Sequence, residues 1–229
     1  MLAKDFYRMA EERLTAELQA RGWARAERGS YAKSDADGFE KLSLDPSKSF
    51  ERFSVLMSFE PSDMSAFVRD VIHGPDYDAT KSGFLCGPYL NQALVGRRRS
   101  EWPCKTKEQL LNALERVARA VETVGEPWLR SLRDARTLAE QADPTSALLA
   151  GFAWDRAGEH EKAEERYAEM RRRLDESIAR YPRFQFPESH MKEYLFLAAR
   201  LGFQNEHTVA YGLALATWTP VAHPFAVEP

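Results

Sequence analysis

The hydrophobic period of this chain changes at Pro103, and that change restricts the folds open to it. Before Pro103, Phe53, Val55, Met57 and Phe59 recur every second residue, as do Leu42 and Leu44. A period of two places such residues on one side of a β-strand. After Pro103, Leu110, Leu111, Leu114, Val117, Ala118 and Val121 recur at helical spacing. A strand-forming first part followed by a helix-forming second part argues for an α+β chain. The expected division is an α+β domain with a small antiparallel sheet over residues 1–104. A stack of antiparallel helix hairpins is then expected over residues 105–229, ending in an extended tail.

Within the first part, Phe6, Met9, Leu14 and Leu18 predict a leading helix over Asp5 to Arg21, with Gly22 suited to its left-handed stop. Three strand-like segments follow: Trp23 to Lys33, Gly38 to Asp45 and Ser49 to Glu60, separated by turn-forming residues. Met64 to His73 fits either a short helix or an outer strand. Residues 74–103 read as loops, with one strand near Phe84 to Leu94. In the second part Thr106 and Gln109 form a capping-box signature, which opens a helix to about Val124 that Gly125 breaks. Further helices are expected from Glu126-Pro127 to about Glu140, from Asp143-Pro144 to Gly158, and from Glu159 to about Tyr181. Two more follow, near Ser189–Leu201 and Glu206–Trp218.

The stretch GFAWDRAGEHEKAEERYAEM, Gly151 to Met170, resembles one tetratricopeptide unit. Ala150, Gly151 and Ala163 supply small contacts between two helices, Trp154 packs between them, Gly158 turns the chain, and Tyr167 fills the space beside the pair. No second copy with the usual period of about 34 residues is found on either side. The expectation is therefore about three hairpins with one repeat-like member. The plainer alternative is an ordinary helix bundle with one close contact.

Composition narrows the function classes. The 229 residues are 44% hydrophobic and 29% charged, with a net charge of −3. The near-neutral charge, balanced in both halves, argues against a nucleic-acid binder. No window is long and apolar enough for a membrane helix, and the first residues lack the apolar core of a secretory signal. A cytoplasmic chain with Cys86 and Cys104 reduced is expected, although a disulfide between them stays open. The five histidines are scattered outside metal-ligand spacing, and no nucleophile elbow or phosphate loop occurs. No catalytic residue, cofactor or metal is therefore expected. The concentrated patch outside the predicted helices is Arg97, Arg98, Arg99 and Trp102. It is the candidate partner-binding patch, because arginine and tryptophan dominate interface energetics. The alternative is a solvated loop whose Trp102 is tucked under a helix.

The order of parts carries a resemblance. A leading amphipathic helix is followed by Gly22-Trp23, by strands containing Phe39 and Phe53 to Phe59, and by Trp128-Leu129 in the helices. Over about residues 5–140 this resembles a bacterial family of uncharacterised domains often encoded beside polymorphic toxins and thought to act as immunity proteins. The resemblance implies a non-enzymatic protein whose protein partner is a cognate toxin, neutralised by occlusion. It brings no catalytic residues. One alternative is a helical adaptor that holds a peptide or protein segment. Another is an enzyme with a convergent site, for which His73, Asp76, Tyr77 and Cys86 are the first candidates.

Overall fold

The computed structural model describes residues 2–74, 76, 101–141, 146–180 and 187–215. The fold is α+β: an N-terminal helix, a five-stranded antiparallel sheet and then a series of helices. Two compact units divide the chain. One comprises Met1–Ser62 with Ala79–Thr137, and the other Asp63–Asp78 with Leu138–Pro229.

In the first unit, α1 (Ala3–Ala20) buries Phe6, Met9, Ala10, Leu14 and Leu18. Its end is a left-handed cap: Gly22 (φ +86) donates to Gln19 and Trp23 donates to Leu18, so two otherwise orphan carbonyls are satisfied. The sheet runs β1 (Ala24–Glu27), β2 (Ser30–Ser34), β3 (Gly38–Pro46), β4 (Arg52–Pro61) and β5 (Trp102–Pro103), each paired with the next. The expected first segment is thus a hairpin of two strands. Gly29 (φ +72) turns it, and a Cβ there would lie 2.5 Å from the Tyr7 ring. The β2–β3 turn is closed by Asp35, whose carboxylate accepts from the Asp37 and Gly38 amides.

Register sorts the strand residues into two faces. Tyr31, Leu42 and Met57 are cross-strand neighbours, and Leu44 pairs with Val55. This face meets α1 through Phe6 against Phe53 and a Thr15–Tyr31 hydroxyl contact of 3.1 Å. The opposite face carries Ala32, Lys41 and Ser58 in one row, with Ser30 beside Ser43 and Ser54 beside Asp45.

Helix α3 (Lys107–Ala120) follows β5; the Thr106–Gln109 capping box opens it, and it packs against α1. Gly125 does not break the helix as expected. The chain passes through a wide π turn, Val121–Gly125, directly into α4 (Glu126–Ser131), with Gly125 itself helical at φ −62 and ψ −54. Pro127 explains the wide turn, since it lacks the amide proton of a regular helix and its ring needs room beside the preceding turn. The real interruption comes later. Asp134 accepts from the Thr137 amide and hydroxyl, both at 2.8 Å, and so starts α5 (Ala135–Gln141).

The second unit contains α2 (Ser62–Phe67, from Asp63 on), which continues as a π-helical turn, Val68–His73. The ambiguous segment is therefore helical. Phe67 stacks on Phe152 at 4.5 Å and meets Phe196 edge-on. The remaining helices are α6 (Ala147–Arg156), α7 (His160–Arg180), α8 (Glu188–Leu201) and α9 (Glu206–Ala214). Gly158 (φ +75) and Gly202 (φ +66) sit at the turns after α6 and α8. Asn205 caps α9 through a second capping box with Thr208.

The compact units divide the chain elsewhere than at residue 104. Helices α3 and α4 fall in the unit that holds the sheet: α3 packs on α1 and β5, and α4 contacts β4. Residues 63–78 belong with the later helices, to which Phe67 contributes its ring. The expected helix start at Asp143-Pro144, the strand near Phe84–Leu94 and the C-terminal tail lie outside the described residues.

Two stability predictions follow from the second unit. A Cβ on Gly151 would come within 2.4 Å of the Tyr167 ring, which is fully buried. Gly151→Ala should lower stability by about 1–2 kcal/mol in urea unfolding, because overpacking outweighs the gain in helix propensity of about 1 kcal/mol. An unchanged midpoint would mean that the ring yields freely. Glu193, on α8, is buried, and its Oε2 has no hydrogen-bond partner. Burial pushes its carboxyl up to about 7. The folded state therefore holds this proton more tightly than the unfolded chain does. Its contribution to stability is therefore full below about 4.5, is lost as pH rises from about 4.5 to 7, and amounts to about 3 kcal/mol. Glu193→Gln should abolish that slope in urea midpoints measured across the window.

Candidate functional site

The site is a groove of about 630 Å³ in the first unit, between α1 and α3. Helix α1 contributes Arg13, Glu17, Leu18 and Ala20, and Arg21 follows at its end. Helix α3 contributes Glu115, Ala118 and Arg119, and the π turn adds Glu122. The local sequence explains the lining. Arg13, Glu17 and Arg21 stand four residues apart on one stripe of α1, as do Glu115 and Arg119 on α3. Leu18 and the two alanines leave an apolar floor between charged edges.

The charges on the rim are paired with different strengths. Arg13 lies 2.5 Å from Glu17 on its own helix and 3.5 Å from Glu115 across the groove. Arg21 crosses to Glu122 at 3.0 Å and to Glu126 at 2.5 Å. Glu126 also accepts from the Trp23 indole at 3.0 Å. Burial opposes the charge of Glu126, but the Arg21 and Trp23 hydrogen bonds outweigh it and hold the carboxyl below its ordinary range. Arg119 is exposed and makes no ion pair among the described residues. The groove thus offers a neutral mixture of guanidinium and carboxylate groups, with one cation uncommitted.

A second polar cluster lies within the second unit and serves another purpose. The Asp155 carboxylate is fully buried and accepts from Tyr167 at 3.0 Å, His160 Nδ1 at 3.0 Å and Arg200 at 3.0 and 3.4 Å. Burial and the neighbouring Asp155 charge push the Tyr167 phenol far above its usual range. Donors surround this carboxylate, so the cluster ties α6, α7 and α8 together. Trp154 is half-buried, with Lys162 of α7 across its ring at 4.3 Å.

The partner-binding patch expected from sequence divides differently. Arg97, Arg98 and Arg99 lie outside the described residues. Trp102 forms β5, is 8% exposed and has the Arg116 guanidinium 5.1 Å above its ring. A ring with so little free surface packs its own unit and offers a partner little to bury. Of the alternative enzyme candidates, His73 and Asp76 are exposed, and Tyr77 and Cys86 lie outside the described residues. Cys104 is a free, buried thiol that donates to the Phe50 carbonyl, and burial pushes it up to about 11. Among the described residues no group of three or more His, Cys, Asp or Glu is placed to hold a metal ion, and no helix is long and apolar enough to cross a membrane.

Sequence reasoning did not single out the groove residues. The available signal was their stripe: Arg, Glu and Arg every four residues on α1, matched by Glu and Arg on α3. That pattern shows the pairing within each helix, but only the approach of α1 to α3 makes a groove of it. Compared with protein-family models, with curated proteins and with solved structures, the chain has no match.

Proposed function

We propose that this chain is a cytoplasmic, non-enzymatic binding protein that neutralises a cognate toxin by occlusion, and that the toxin docks on the α1–α3 groove. The supporting observation is the groove itself, an apolar floor of Leu18, Ala20 and Ala118 within a rim of Arg and Glu. Such a rim favours partner selection, because charge complementarity speeds encounter and like charges reject wrong partners. Arg119 is the natural first contact, since binding it breaks no existing ion pair. A loose pair such as Arg13–Glu115 can exchange its partner at small cost, as exposed ion pairs contribute about 0–1 kcal/mol. The order of parts that resembles toxin-immunity domains supplies the class of partner.

A second reading, a helical adaptor, is favoured by one observation. Val209 and Leu213 on α9 are 50% and 75% exposed, so the last described helix turns apolar side chains to solvent.

Co-expression with the proteins encoded beside its gene, followed by calorimetry, tests the first reading. A one-to-one complex in the nanomolar range, about −12 kcal/mol, is expected. Arg119→Glu should weaken it at least about tenfold while leaving thermal unfolding unchanged, because the side chain is exposed. If no neighbour forms a complex, the toxin reading fails. A complex indifferent to Arg119→Glu and to Glu115→Arg would move docking away from the groove. Val209→Asp together with Leu213→Asp should matter only for the adaptor.

A further inference from the structure

We infer that the α1–α3 groove holds one amphipathic α-helix of the protein partner, laid lengthwise, with an acidic side chain set against Arg119. The inference rests on the groove as the docking surface and adds the form and chemistry of the segment that fills it. The walls fix the form. Arg13 of α1 lies beside Glu115 of α3, and Arg21, eight residues further along, lies beside Glu122, seven residues beyond Glu115. This equal advance in the same direction means that the two walls run parallel and side by side, without crossing at a single point. The trough between them is therefore about 12 Å long, at about 1.5 Å per residue, or roughly two helical turns. Its floor is low, because Ala20 and Ala118 carry only a methyl group each beside Leu18. Small floor residues let a third helix approach to the axial distance of ordinary helix packing, about 8–10 Å.

An extended segment does not suit these walls. Such a segment needs an open sheet edge to bond its amides and carbonyls, whereas both walls are helices whose backbone bonds are internal. A docked helix brings its own backbone bonds and offers only side chains. The rim then sets the charge. Its carboxylates are all engaged: Glu17 and Glu115 by Arg13, and Glu122 by Arg21. Arg119 is exposed and makes no ion pair among the described residues. A lysine on the docked helix would find no unengaged carboxylate on the rim and would be opposed by Arg119. An aspartate or glutamate would complete Arg119 through a charge-assisted pair and break no existing one. One such residue suffices, since the rest of the rim is balanced. The other contacts are alanine- or leucine-sized side chains on the floor. Docking also removes water from the new pair, which strengthens it.

Amide NMR spectra of the labelled full chain, titrated with three synthetic peptides, test the inference. Each peptide has about 16 residues, enough for an isolated helix. The first carries an Ala/Leu stripe at helical spacing with one central glutamate beside it. The second has lysine in place of that glutamate, and the third has two central prolines that break the helix. At millimolar concentration the glutamate peptide should shift the amides of Leu18, Ala118 and Arg119 saturably. The lysine peptide should bind at least about tenfold more weakly, and the proline peptide should leave those amides unmoved. Arg119→Glu should reverse the order of the first two peptides. The inference is overturned if the glutamate peptide leaves the groove amides unmoved, if the proline peptide binds equally well, or if Arg119→Glu does not reverse the order. A toxin complex weakened by Arg119→Glu, with groove amides that no helical peptide moves, would overturn the helix and leave the toxin reading standing. Binding of the glutamate peptide without any toxin complex would do the reverse.

Discussion

The first unit depends on one carboxylate. Glu126 opens α4, yet its oxygens accept from Arg21 at the end of α1 and from the indole of Trp23 at the entry to β1. Residues a hundred positions apart are thereby fixed at one point, and the left-handed cap at Gly22 aims the chain from α1 into the sheet. The geometry works because it is only partly dry. The Glu126 side chain is 12% exposed, so desolvation is incomplete while a charge-assisted pair and an indole bond are both in place. With the end of α1 held there, α1 and α3 lie against each other, and the remaining charges on their outer stripes define the groove.

The second unit uses a drier version of the same device. Asp155 has no exposed side-chain surface, so its charge is tolerable only because three different side chains donate to it. Replacing such a network by apolar residues is often neutral for stability, whereas losing one member is costly. Its contribution is therefore to alignment. The Tyr167 ring that donates to Asp155 also lies where only Gly151 leaves it room, so a polar contact and a close helix approach fix the same pair of helices. Glu193 has no equivalent partner for its second oxygen, and its raised pKa is the consequence.

Much of the fold was legible because it rests on local signals. The alternation of Phe53, Val55, Met57 and Phe59 gave the packed face of the sheet, Gly22 gave the end of α1, and Thr106 with Gln109 gave the start of α3. The errors came where distant packing or a compensating local device decided the outcome. Gly125 reads as a breaker in isolation, but buried and followed by Pro127 it takes part in a wide helical turn. Trp102 beside three arginines reads either as an anchor or as a packed ring, and its pairing with Phe53 draws it into the sheet. The boundary at residue 104 followed the change of hydrophobic period, whereas the compact units follow contacts between residues distant in sequence. The groove was illegible for the same reason: no spacing within α1 says that α3 will lie beside it.

The period of two that reveals the packed face also identifies the polar one. Residues alternate along β4, so placing Phe53, Val55, Met57 and Phe59 on the packed face necessarily turns Ser54, Ser58 and Glu60 to the other side. The same holds on β3, where Leu42 and Leu44 face inward and Lys41 and Ser43 face away. A solvated surface would need no particular polar residues there, and lysine or glutamate at every position would serve. Short hydroxyls stand there instead, and burial makes the two without a hydrogen-bond partner, Ser54 and Ser58, costly. In the groove, by contrast, three arginines and three glutamates present no net field to a polyanion, and their exposure lets each pair exchange. On the proposed reading, specificity on the rim comes from the pattern of charges a folded partner presents.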